Sequence, residues 1–179
     1  WPRAASAHRG KIPFHIELIK PSHYDDNGYV IQWLKAWIPS NSLASLYGQA
    51  MQAAEARVLG DDVEIEIRAY DETNTVVPVR RICERFRRDG GNGIVCMVGV
   101  QSNQFPRAMD MARRFRAAGV QVAIGGFHVS GCLAMLPELP PEALGSALVQ
   151  DVPPTQLGAL CADWPVRVET PPGPPTLFD

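Results

Sequence analysis

The stretch IGGFHVSG, Ile124 to Gly131, sets two glycines against a bulky aromatic and an imidazole, directly after the apolar run VQVAI. His128 in that position admits axial metal ligation, hydrogen bonding to a ligand, or simple occupancy of a turn. One histidine is not by itself a metal site. Gly125 and Gly126 either permit a tight bend or clear room for a cofactor beside the backbone, and two adjacent glycines at a strand's carboxyl end favour the second. Ser102, Asn103 and Gln104 lead into a helix N-terminus, where free N–H groups attract an anion or an amide oxygen. Ser102 or Asn103 as an ordinary N-cap accounts for the same residues. Asp71 and Glu72 stand where they could bind a ribose or an amide, or cap the next helix. His23, Asp25 and Asp26 form a further cluster, read as a solvated turn in preference to a metal site.

The elements that must carry these groups follow a repeated pattern. FHIELIKP (Phe14 to Pro21) reads as a strand stopped by proline. A long polar and aromatic connection follows, of a length that is often functional. It carries Trp33 and Trp37, four apart, which form an apolar stripe if helical. SLASLYGQAMQAAEARVLG reads as a helix with Ser42 as N-cap, Leu43, Leu46, Ala50 and Ala53 on one face, and Gly60 as the stop. VEIEIRAYDE alternates apolar and charged residues, the pattern of a strand with one wet face near a sheet edge. VVPVRRICERFRRDGG is the next helix, with Pro78 in its first turn; Ile82, Cys83 and Phe86 point inward and the arginines face water.

GIVCMVGVQS (Gly93 to Ser102) is apolar on both faces, as a central parallel strand should be. NQFPRAMDMARRFRAAG is a third helix with Pro106 in its first turn, and VQVAIGG a fourth strand. The alternation predicts an α/β domain with a mainly parallel sheet and right-handed crossovers. Its carboxyl-end segments, KPSHYDDNG, YDETNT, GVQSNQF and GGFHVSG, are rich in Gly, Ser, Asn, Gln, Asp and His, and ligands bind at those ends in such sheets. LPELPPEAL can start another helix. The remainder is proline-rich with only PVRVE strand-like, so an irregular tail lacking a regular fifth strand is expected. The division is a loose segment over 1–13, the α/β domain over 14–144 and a divergent tail over 145–179.

At 179 residues and 46% hydrophobic, the chain can bury one sizeable core. A net charge of −2 with interspersed signs argues against a nucleic-acid or polybasic membrane surface. No apolar run approaches the ~20 residues of a membrane span. Cys83, Cys96, Cys132 and Cys161 stand singly without metal-knuckle spacing, and no secretory signal is present, so a reducing cytoplasm is the expectation. A start at Trp1 suggests a fragment or processed product. No phosphate loop, G-x-G-x-x-G or nucleophile elbow occurs. GVQS at the third strand's end, with no aspartate, argues against a phosphorelay receiver.

Four stretches carry a family resemblance: IELIKPSHYDDNGYVIQWLKAWIPSNSLASLYG, YDETNTVVP, VGVQSNQFPRAMDMARRFRAAGV and IGGFHVSGCLAMLPELPP. Over Ile16 to Leu144 the chain resembles the N-terminal cobalamin-binding-type domain of B12-dependent radical SAM enzymes. That resemblance implies a flavodoxin-like (Rossmann-like), doubly wound fold and a cobalamin-binding module holding the corrin base-off, without a protein histidine on cobalt. Such domains carry D-x-H-x-x-G after the first strand, a serine after the third and Gly-Gly after the fourth. Ser102, Gly125 and Gly126 match the last two; His23 lacks the flanking aspartate and glycine of the first. His128 is then a cofactor-edge contact, not a metal ligand. The resemblance implies a slot lined by Gly99, Gln101, Ser102 and Asn103 from one strand end and Gly125 to His128, including Phe127, from another. Ser22, Asp71 and Glu72 complete the implied contacts.

The C-x-x-x-C-x-x-C motif for a [4Fe–4S] cluster is absent, so S-adenosylmethionine and the cluster would belong to a radical SAM barrel supplied in cis or trans. Alone, such a module catalyses nothing. The alternatives are a vestigial scaffold of the same fold that binds no cobalamin, with Trp33 and Trp37 as docking contacts, and an unrelated binder of a nucleotide or flavin.

Overall fold

The computed structural model describes residues 11–34 and 40–135. Four strands, β1 (Ile12–Lys20), β2 (Val63–Asp71), β3 (Gly93–Met97) and β4 (Gln121–Ile124), alternate with helices α1 (Asn41–Glu55), α2 (Val79–Arg88), α3 (Phe105–Ala117) and α4 (Phe127–Met135). All pairings are parallel and the order is β2-β1-β3-β4. The α/β, flavodoxin-like expectation is met. Direction reverses between β1 and β3, which places the topological switch point there. Right-handed crossovers running in opposite directions put α1 on one face of the sheet and α2 and α3 on the other.

The core lies on the α2/α3 face. Ile19, Val95, Met97, Val122 and Ile124 from the strands meet Ile82, Phe86, Met111, Ala112 and Phe115 from the helices. The inward placement of Ile82, Cys83 and Phe86 on α2 matches their helical spacing. The opposite face is thinner. None of the residues of α1 is fully buried; Leu43, Ala50 and Ala53 of its expected apolar face are half-buried, while Leu46 is 40% exposed. Ile16, Ile65, Ile67 and Ile94 beneath that helix are only half-buried.

Other boundaries move for local reasons. β1 starts at Ile12, two residues before the expected Phe14, because its ladder with β2 runs on to Ile12↔Val63. Pro13 is tolerated there because pairing with β3 begins only at His15. The N-cap of α1 is Ser40, not Ser42: its Oγ accepts from Leu43 N at 3.3 Å. The helix ends at Glu55, well before Gly60, and Arg57 takes the left-handed position (φ 50°) usual for a C-terminal glycine. Pro78 occupies the N-cap of α2. β3 closes at Met97 because Gly99 turns the chain at φ 63°.

β2 is an edge strand, as its alternation implies, and its charged face is only partly wet: Glu64 is exposed, while Glu66 and Arg68 are half-buried. Glu66 and Arg68 lie over β1 and reach buried His15 and Glu17. From α2, Asp89 bonds His15 Nε2 at 2.8 Å and Arg85 bonds Glu17 Oε1 at 3.1 Å. Arg85 therefore points inward, against the expectation that the arginines of this helix face water. Burial pushes the Glu17 carboxyl above its usual value, against the opposing pull of Arg85 and Arg68. No helix among the described residues is long and apolar enough to cross a membrane. Trp37, LPELPPEAL, PVRVE and the tail over 145–179 lie outside the described residues.

Candidate functional site at the carboxyl ends of the strands

The four carboxyl-end segments do meet at one edge of the sheet, and the parallel ladder is the reason. Strands that run together end together. What differs is how far each side chain is already engaged within the chain.

The segments after β1 and β2 are internally satisfied. Glu72 is 2% exposed and its carboxylate takes a bidentate fork from Arg107 of α3, with Nε 3.1 Å from both oxygens. Ser22 N donates to Glu72 Oε2 at 3.0 Å, and Ser22 Oγ donates to Ile31 O. Asp71 accepts from Thr73 N and Thr73 Oγ1 and pairs with Lys20 at 3.3 Å. Tyr24 completes the group, donating to Asp110 Oδ2 at 2.7 Å with the Arg107 guanidinium over its ring. This network pins the long β1–α1 connection onto α3. Asp25 closes a turn by accepting from Asn27 N and Tyr29 N, in line with the turn reading. Among the described residues no group of three or more His, Cys, Asp or Glu side chains could hold a metal ion.

The ends of β3 and β4 are different. Gln101, Ser102 and Asn103 are exposed. None of them caps α3: the N-cap is Gln104, and its Oε1 instead accepts from Gln101 N at 3.0 Å. His128 is not in a turn but in the first turn of α4, its backbone N–H bonded to Val100 O. Its Nδ1 lies 3.1 Å from Ser102 Oγ, its ring packs against Phe105 at 4.3 Å between centroids, and its Nε2 lies 3.7 Å from Cys132 Sγ. Phe127, beside it, is 80% exposed.

Gly126 does not clear space for a ligand at the position the sequence suggests. Gly126 has φ 138°, and a Cβ there would sit 2.2 Å from Val100 N and 2.7 Å from Gly99 C. The β4–α4 turn lies directly on the β3–α3 turn, and glycine is what permits it. Gly125 joins the same contact through its carbonyl, which accepts from Val100 N at 2.8 Å. At the switch point Gly99 faces α1: a Cβ on it would meet Ser42 Cβ at 3.3 Å.

The structure thus brings together Gly99, Gln101, Ser102, Asn103, Gly125, Gly126, Phe127 and His128. Ser22, Asp71 and Glu72 stand in the neighbouring ion-pair network. Sequence reasoning missed Arg107, Tyr24, Asp110 and the approach of Cys132 to His128. The last was legible, since an i, i+4 pair shares a helix face once the helix is known to begin at Phe127. A scan of protein-family models finds no match to this chain, and neither the curated proteins nor the solved structures yield one.

Proposed function

We propose that this domain is a cobalamin-binding module of the kind carried by B12-dependent radical SAM enzymes. It would hold a base-off corrin over the ends of β3 and β4. The observation that carries this reading is the pairing of an exposed aromatic face, Phe127, with exposed hydrogen-bonding groups on Gln101, Ser102 and Asn103. A large, flat, apolar ring system fringed with amides calls for that combination.

When bound, the cofactor would supply a cobalt-held group for transfer. The chain's own residues bind and orient. Phe127 would offer an apolar face to the ring, Gln101 and Asn103 would hydrogen-bond its amides, and His128 would line its edge. Catalysis would rest with a radical SAM barrel in cis or trans, carrying S-adenosylmethionine and the [4Fe–4S] cluster, in a cytoplasmic setting. Titration with hydroxocobalamin and methylcobalamin, followed in the visible spectrum, tests the reading. A saturable base-off shift, weakened in Phe127→Ala and Asn103→Ala, is expected.

A second reading has its own observation. Ser22, Asp71, Glu72 and Gly126 are all accounted for by contacts within the chain. That is the condition of a scaffold domain that binds no cofactor, with exposed Trp33 and Leu34 as docking contacts. No spectral shift from a chain with native circular dichroism would favour it.

A further inference from the structure

His128 is held at its backbone and at two places on its ring. Its backbone N–H bonds Val100 O, its ring rests on Phe105, and Nδ1 meets Ser102 Oγ at 3.1 Å. With the ring proton on Nδ1 and donated to Ser102, Nε2 is left unprotonated and lies 3.7 Å from the Cys132 sulfur. Both groups are half-buried and lie one helical turn apart on the same face of α4.

That separation has a chemical meaning. A tetrahedral zinc-type ion with a nitrogen at about 2.0 Å and a thiolate sulfur at about 2.3 Å needs those two donors about 3.5 Å apart. The observed pair is within a few tenths of an ångström of that value. A bound histidine whose other ring nitrogen donates to an oxygen is the usual supporting arrangement of such sites, because it sets the tautomer and the ring orientation. An imidazole and a thiolate together favour borderline-soft cations over magnesium or calcium.

We propose that His128 Nε2 and Cys132 Sγ form a two-donor site for a divalent zinc-type transition-metal ion, with Ser102 as its positioning residue. Binding replaces the thiol proton of Cys132, which leaves to solvent, with the metal. Among the described residues no third side chain of the usual ligating types joins the pair, so the remaining coordination positions are open to water or a small anionic or thiol ligand. The ion itself needs no corrin, since both donors and Ser102 belong to this chain.

Cobalt(II) ion alone, free of any corrin, is the probe, because a Co(II)–thiolate bond gives a near-ultraviolet charge-transfer band. The full-length chain, reduced and free of metal, should develop that band saturably at one ion per chain and lose it on addition of zinc. Cys132→Ser and His128→Gln should abolish it, while Cys161→Ser leaves it intact. Ser102→Ala should weaken binding about tenfold, the lower range for loss of a supporting contact. Circular dichroism of each variant reports folding separately. Absence of the band in the folded wild-type chain, its persistence in Cys132→Ser, or unchanged affinity in Ser102→Ala would overturn the proposal.

Discussion

Replacing Gly126 with alanine puts a methyl group where the backbone of the β3–α3 turn already lies. The built Cβ falls 2.2 Å from Val100 N and 2.7 Å from Val100 O, and both are main-chain atoms that cannot swing aside. Forcing the turns apart also strains the Gly125–Val100 hydrogen bond. A non-glycine residue held at such a φ costs about 1–3 kcal/mol, and overpacking a close contact adds about 1–3 kcal/mol. The narrower unfolded ensemble of alanine offsets about 0.4–1 kcal/mol of that. The net expectation is a loss of about 1–6 kcal/mol, against total stabilities of about 5–15 kcal/mol for proteins of this kind. At roughly 3 °C per kcal/mol for a chain of this size, the melting temperature should fall by about 3 °C or more. Urea denaturation and thermal melts followed by circular dichroism measure it directly. Gly131→Ala is the matched control, since that glycine lies inside α4 with nothing within 4 Å of its Cβ. It should be neutral or stabilise by up to about 1 kcal/mol. Equal midpoints for the two variants would refute the close approach. If the reasoning holds, changes at Gly126 report on folding and are unsuited to locating a ligand.

Arg107→Ala leaves the buried Glu72 carboxylate without its fork and should cost about 3–5 kcal/mol by urea denaturation; a loss under 1 kcal/mol would mean the pair is dispensable. Glu17 sits above its ordinary 4.5 in the folded chain, so the folded state holds that proton more tightly and stability from this group declines as pH rises from about 4.5 through the raised value. The stability of wild type relative to Glu17→Gln should therefore fall with pH across that window, and a rising difference would contradict the burial argument. Burial pushes the Cys96 thiol up to about 11 and raises Cys83 as well. In a Cys161→Ser background, Cys132 should thus be alkylated first at neutral pH under native conditions, and mass mapping that finds Cys96 first would overturn this order.

The local patterns that came through are those fixed by neighbours a few residues away. Helical spacing of Ile82, Cys83 and Phe86 placed them in the core because one helix face is set by its own periodicity. The apolar run of β3 marked it as central because a strand covered on both faces tolerates few polar side chains. The same logic read only part of β2. Its alternating charges look solvated until β1 brings His15 and Glu17 beneath them, and no spacing within VEIEIRAYD reports partners some fifty residues away. On α1 the spacing placed Leu43, Ala50 and Ala53 on the less exposed side, but how deeply they are buried depends on what the sheet and the remaining chain leave to cover.

By itself, then, the sequence determined that strands and helices alternate, that the sheet is parallel, and that polar and glycine-rich segments gather at one end of it. Those properties follow from periodicity, punctuation and the short reach of each connection. Only the tertiary structure decided which of those end residues remain available. Glu72 and Ser22 are taken by Arg107 and Ile31, Gly126 by the backbone of Val100, and His128 by Ser102 and Phe105, while Gln101, Asn103 and Phe127 stay exposed. Availability is a property of pairs distant in the chain, set when α3 and the β3 and β4 turns dock, and no single segment encodes it.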